Sequence, residues 1–419
     1  MTPTRPVGAR DATPTPVAGR IERPGERPPS AREVLADLGP HQSVNGLVGV
    51  LFSITGPIPI VVAVGRAGGL SGDVIASWVF GILAFNGLLT IVSSWLFRQP
   101  LGFFWTIPGT VVVGTAFASL SWPEIVGAYV LTALLMLVVG LTGHVDRVMS
   151  LLPMPVVMAM VAGVFLGFGL DLVRAVVTDP AVAAPMVLVF LLATAVPAVG
   201  RLLPPILGAL LAGVVAVALT GGMETGAFTG TWLVRPVLTA PEFTGAAAIE
   251  LVVPLALTVL VVQNGQGMAV LRDAGHRPPM NFVTVACGLV SLPAAAVGAI
   301  STCLTGPTNA LLTASGPRRT HYTAALVCGA TAVVVGLLAP GFVRVLLAMP
   351  VAFVATLGGL AMLRALEGAF RVAFSGAVVT SALVTFLVTV ADVTVLNIGS
   401  AFWGLVAGVV VHLALRPDA

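Results

Sequence analysis

Two short runs, Thr106-Ile107-Pro108-Gly109-Thr110 and Thr305-Gly306-Pro307-Thr308-Asn309, place hydroxyls and an amide beside a proline inside long apolar stretches. Proline lacks an N–H and disfavours helix at the residue before it, so each run closes an extended piece and opens a new helix, with Thr106 or Thr305 as a cap. A helix start presents unpaired N–H groups and the positive end of the dipole, and its chemistry is anion binding. Gln263-Asn264-Gly265-Gln266-Gly267 brings amides into a third apolar stretch, and Thr55-Gly56-Pro57 makes a further break. Phe104 and Trp105 precede the first proline and can wall the apolar body of a ligand. The pattern describes a small organic anion. Its charge is expected at the helix starts and the Thr106, Thr110, Thr305 and Thr308 hydroxyls, its ring against Phe104 and Trp105, and its orientation set by Gln263 and Asn264. Thr55, Gly109, Gly306 and Asn309 complete the candidate binding set.

Other chemistries lack their residues. No Walker run, zinc spacing or Ser-His-Asp set occurs, and the five histidines are scattered. Cys287, Cys303 and Cys328 have no ligand spacing and read as buried thiols. The expectation is therefore a non-enzyme without cofactor or metal and with no nucleic-acid partner.

The elements that position these residues follow from composition. Of the 419 residues 57% are hydrophobic and 9% charged, against about 25% charged in soluble domains, which makes this an integral membrane protein. Apolar stretches of bilayer length recur in two sets of seven. They predict fourteen transmembrane segments: a flexible cytoplasmic tail over 1–42, a first repeat over 43–220, an extracytoplasmic linker over 221–247 and a second repeat over 248–415. Every basic residue is arginine, and with the tail inside, ten lie in cytoplasmic loops or the C-terminal tail and four outside, not counting the six of the N-terminal tail. That asymmetry supports cytoplasmic termini. Thr305 follows Thr106 by 199 residues, and Val334-Val335-Gly336-Leu337 answers Val138-Val139-Gly140-Leu141. Seven segments per repeat invert the second repeat, which is the organisation of secondary transporters. By that inversion the two half-helices enter from opposite faces and their starts are expected to meet near the midplane. Glu250 reads as an interface residue or, about three turns from the amides, as a proton carrier.

Three places resemble the BenE-type benzoate/proton symporter family. They are Arg98-Gln99-Pro100 leading to Trp105-Thr106-Ile107-Pro108-Gly109, the pair Ser77-Trp78, and the run Pro254-Leu255, Gln263-Asn264, Gly267, Val270-Leu271-Arg272-Asp273-Ala274-Gly275, Pro278-Pro279. The resemblance covers about 40–415. It implies an all-α, UraA-like fold of two inverted seven-segment repeats, with segments 3 and 10 broken and with core and gate domains. It also implies a bacterial inner-membrane protein, often dimeric in this fold, that imports a small aromatic carboxylate such as benzoate with a proton. The residues alone leave open a nucleobase or inorganic-anion transporter of the same fold, and a uniporter or channel.

Overall fold

The computed structural model describes residues 21–145, 147, 153–221, 230–376, 378–393, 395 and 399–415. Among them seven helical stretches are long and apolar enough to cross a membrane. Chain order begins with α1 (Ala31–Asp37), α2 (Pro40–Thr55), α3 (Pro57–Ala67), α4 (Gly72–Phe97), β1 (Phe103–Trp105), α5 (Ile107–Ala116) and α6 (Trp122–Thr142). It continues with α7 (Met154–Thr178), α8 (Pro180–Ala195), α9 (Pro197–Leu202), α10 (Pro205–Thr220) and the long α11 (Gly245–Asp273). Then come α12 (Met280–Ala296), β2 (Thr302–Leu304), α13 (Gly306–Thr313), α14 (His321–Leu337), α15 (Ala339–Leu347), α16 (Val351–Ala373), α17 (Val379–Val390) and α18 (Ser400–Ala414).

The helices sort into two groups. In one, α14 packs on α4 and α2, and α12 on α6; in the other, α16 and α17 pack on α7, α10 on α8, and α17 on α18. Lipid tails are as apolar as leucine, so contacts between such helices depend on close approach. Gly87 and Gly329 supply it between α4 and α14: a Cβ on either would meet the other's carbonyl oxygen at 2.6 Å.

The tail expected to be flexible and the linker are both held in part. The 1–42 tail is corrected for its second half, because residues 21–39 form a strap across one end of the first group. Ser30 and Glu33 make a reciprocal capping box that starts α1. Glu33 also meets Arg98 at 3.0 Å, and the Ser30 backbone and hydroxyl with Arg98 pull its carboxyl down to about 2. Glu22 caps the start of α12 through the Asn281 and Phe282 N–H groups; Tyr322 donates to Asp37. Composition alone concealed this, since the strap uses polar contacts rather than apolar burial. The described part of the 221–247 linker is likewise fixed by backbone bonds from Val234 to Leu337, Thr239 to Ala296 and Glu242 to Pro123.

At the strap's end of the molecule, His276 and His321 meet at 3.0 Å, and His321 Nε2 lies 2.8 Å from the Gly316 carbonyl. The carbonyl can only accept, so His321 Nε2 carries the proton and His321 Nδ1 accepts from His276. A second proton on His276 has no acceptor. Burial first, then His321 and Arg318, lower its pKa to about 4. The folded value lies below the unfolded one, so the contribution of His276 to stability is whole above pH 6.5 and drains as pH falls toward 4. The loss at pH 5 is on the order of 2 kcal/mol. His276→Gln keeps the donor without titrating; its melting temperature is expected to fall less than that of the parent between pH 7.5 and 5.

Candidate functional site

The broken stretches meet in a two-stranded antiparallel ribbon. β1 and β2 pair Phe103 with Leu304, Phe104 with Cys303 and Trp105 with Thr302. The Thr106 N–H reaches the Ser301 carbonyl, and the Thr305 N–H the Gly102 carbonyl. The expectation that the two helix starts meet is corrected by this register. Thr305 lies opposite Gly102, four residues from Thr106, so at about 3.3 Å per residue the starts of α5 and α13 stand roughly 13 Å apart at opposite ends of the ribbon.

Strand edges at membrane depth need protein partners, because lipid supplies none. On the β1 edge, Thr90 of α4 accepts from the Phe103 N–H at 2.8 Å and donates to its carbonyl at 3.2 Å, and Ser94 does the same for Leu101 at 3.0 and 3.2 Å. On the β2 edge, Asn264 Oδ1 accepts from the Leu304 N–H at 2.8 Å, and Ser291 of α12 from Thr302 at 2.9 Å. Asn309 extends the ladder by one rung: its Oδ1 accepts from the Gly102 N–H at 2.9 Å and its Nδ2 donates to the Gly102 and Thr305 carbonyls at 3.0 and 2.6 Å. Thr90, Ser94 and Ser291 escaped the sequence reading. Their only signal is a hydroxyl within an apolar helix.

The candidate residues divide by what their polar atoms already do. Thr106 caps its own helix through the Gly109 N–H at 3.1 Å and donates to Thr258 at 2.9 Å. Thr110 donates to the Thr106 carbonyl, Thr55 to the Leu51 carbonyl, and Thr308 lies 3.4 Å from Ser53 of α2. Thr106, Thr110 and Thr308, expected to face the anion, and Thr55 of the candidate set have other partners; Thr106 and Thr110 bond the backbone of their own helix start, as threonines there do. Gly109 admits the Thr106 methyl, which a Cβ there would meet at 2.5 Å.

The start of α13 is different. Thr305 makes no side-chain cap, and its hydroxyl has no partner. Trp105 Nε1, Asn264 Nδ2, Ser301 Oγ and Thr302 Oγ1 are also buried without a partner. Asn264 and Gln263 end a π-helical turn, Thr258–Asn264, that widens α11 beside β2; such turns recur at functional sites. Gly306 lets α11 approach, since a Cβ there would meet Gln266 Cβ at 2.9 Å. The rings of Phe104 and Trp105 meet edge-on at 6.0 Å, both buried. Gln266, Pro307 and Ala310 are exposed beside this start. Gln266, absent from the expected set, is a polar side chain open at the mouth of the site. The Thr305 hydroxyl lies at the uncapped start of α13 with Asn264 beside it on Leu304, whereas Ser301, Thr302 and Trp105 lie toward the α5 end; donors without partners thus line the ribbon between the two starts, which suits a small, partly apolar anion.

The chain matches the family model described as benzoate membrane transport protein, BenE, over residues 36–414. It belongs to the BenE family. One BenE-family relative, the benzoate membrane transport protein of Acinetobacter baylyi, is 30% identical over 385 residues, covering 90% of this chain and 96% of its own. Inner membrane protein YdcO of Escherichia coli is 28% identical over 389 residues, covering 91% and 97%. In fold the chain is similar to the transmembrane domain of a cyanobacterial bicarbonate transporter, BicA, with a TM-score of 0.59 at 15% identity over 91% of this chain and 99% of that one. It is also similar to SLC26A9, with a TM-score of 0.57 at 14% identity over 88% and 64%. This BenE-family chain is thus a multi-pass, all-helical membrane transport protein. Its Glu250 lies on α11 away from the ribbon, fourteen residues before Asn264, and touches none of the site's polar atoms.

Proposed function

We propose that this BenE-family chain carries a small aromatic carboxylate such as benzoate across a bacterial inner membrane by alternating access, with a proton as the coupling ion. The carboxylate sits at the start of α13, taking the Thr305 hydroxyl, the Asn264 amide and the free N–H groups of that first turn, while the ring rests against Phe104 and Trp105. The observation that carries this reading is the set of buried groups without a partner, the Thr305, Ser301 and Thr302 hydroxyls, Trp105 Nε1 and Asn264 Nδ2, each of which can donate. Donors left buried in this way cost about 1–3 kcal/mol each, a cost that an anion removes. On this reading fourteen crossings form two inverted repeats. The group built on α4, α6, α12 and α14 is the core, the group built on α7, α16, α17 and α18 is the gate, and both termini are cytoplasmic.

The test is ligand-induced thermal stabilisation of the purified protein by benzoate, benzamide, uracil and sulfate, followed by uptake into proteoliposomes. Benzoate is expected to stabilise and benzamide, its uncharged isostere, to fail. Thr305→Val removes one donor at constant shape and is expected to weaken benzoate binding about 10- to 100-fold, as for a hydrogen bond to a charged group. Uptake driven by an acid exterior is expected of a proton symporter. Equal benzoate affinity of Thr305→Val and the parent protein overturns the assignment of the site, and stabilisation by uracil or sulfate in place of benzoate overturns that of the substrate.

A further inference from the structure

Glu250 is 4% exposed, on the turn of α11 farthest from Gln266. Ser119, in the connection between α5 and α6, donates to both carboxylate oxygens, at 2.8 and 2.9 Å. The backbone N–H of Gly399, the residue that opens α18, lies against the same carboxylate as a donor. A Cβ at Gly399 would lie 2.7 Å from Glu250 Oε1, so the glycine permits the approach. Every contact is a donor aimed at the carboxylate. One comes from the α5–α6 side and one from α18, so Glu250 ties the two helix groups together at this end.

Among the described residues, no cation balances that charge in the groups that face it. α5 brings no ionisable residue, and α18 carries only His412, twelve residues beyond its start. From α6 comes Glu124, a like charge. Glu124 is itself held by the Ser121 N–H and hydroxyl, each at 2.8 Å, and by Thr244 at 3.0 Å. The tie therefore depends on donors that favour an ionised acceptor, and hydrogen bonds to an ionised group are roughly twice as strong as neutral ones. Ser119 also has a second acceptor, the Ala116 carbonyl at 3.2 Å. When Glu250 takes a proton, the Ser119 hydroxyl can turn to that carbonyl and accept the new O–H, leaving Gly399 with a neutral partner.

We propose that Glu250 is a proton-operated latch on the outer side of the transporter: ionised, it joins Ser119 to Gly399 and holds that side shut, and protonated from outside it lets the two groups part. The inference rests on the alternating-access reading above and concerns a place that the substrate does not touch.

The test needs no substrate. Ala401, buried on the first turn of α18, is replaced by cysteine, and intact cells are labelled at one fixed pH of 7.4 with a membrane-impermeant maleimide. Cells without the Ala401→Cys change supply the background of the three buried native thiols. Glu250→Gln, which mimics the protonated side chain, is expected to raise labelling by about five-fold or more over the Glu250 background, and Ser119→Ala by a smaller factor, since charge-assisted bonds are lost or weakened in each. Uptake by Glu250→Gln is expected to lose its dependence on external pH. Equal labelling in all three backgrounds overturns the latch, even where benzoate is bound and carried. Increased labelling supports it even where benzoate turns out to be the wrong anion.

Discussion

Asn264→Asp is expected to abolish benzoate binding while leaving the protein folded. The substitution keeps the shape of the side chain and the oxygen that accepts from the Leu304 N–H, so the edge of β2 remains satisfied. It replaces the unpartnered Nδ2 with an oxygen that bears charge, and a donor aimed at the anion becomes a repulsive neighbour. Two like charges about 4 Å apart at an effective dielectric near 20 repel by about 4 kcal/mol, which is on the order of a thousandfold in affinity. Asn264→Ala introduces no repulsion, but leaves the Leu304 N–H buried without an acceptor, at a cost of about 1–3 kcal/mol in stability. Binding isotherms of the two variants should therefore rank aspartate below alanine, while both melt below the parent, aspartate through an unpaired buried charge and alanine through the orphaned N–H. If both variants bind benzoate like the parent, Asn264 does not face the ligand.

Only some parts of this site were legible in the sequence. The breaks at Pro108 and Pro307 were legible because a proline acts on its own backbone and on the residue before it, wherever the rest of the chain lies. The membrane class was legible from composition, and an anion as ligand from the two helix starts. The register between β1 and β2 was not, since it joins residues about two hundred positions apart and nothing local encodes it. That register sets the two starts at opposite ends of a ribbon. Which threonine keeps a free hydroxyl was equally hidden. Thr106 and Thr305 look alike in sequence, yet only Thr106 has Thr258 opposite it, and that contact depends on how the π-helical turn of α11 rotates its side chains. The strap over 21–39 stayed invisible for a third reason. It binds through capping and ion pairs, whose residue types also make up an unattached tail.

Asn309→Leu carries the largest expected loss of stability. Asn309 is fully buried, and leucine shares its branching but is bulkier, so overpacking adds to the loss of hydrogen bonding. It leaves the Gly102 N–H without an acceptor and removes both Nδ2 bonds, although the Gly102 carbonyl still accepts from the Thr305 N–H. Water cannot replace these partners in the interior of a membrane protein. One orphaned N–H costs about 1–3 kcal/mol, and each further lost bond about 0.5–1.5 kcal/mol, so a total near 3–5 kcal/mol is expected, enough to lower the melting temperature by several degrees or more. The position also fixes the direction of α13, whose first turn follows Thr305 directly. The variant should therefore lose benzoate binding even at temperatures where it remains folded, because the donors of that turn no longer converge. Asn309→Asp keeps an acceptor for Gly102 but sets a carboxylate oxygen against the Gly102 and Thr305 carbonyls, and should recover neither stability nor binding. A melting temperature for Asn309→Leu equal to that of the parent would show that this side chain does not hold the ribbon to α13.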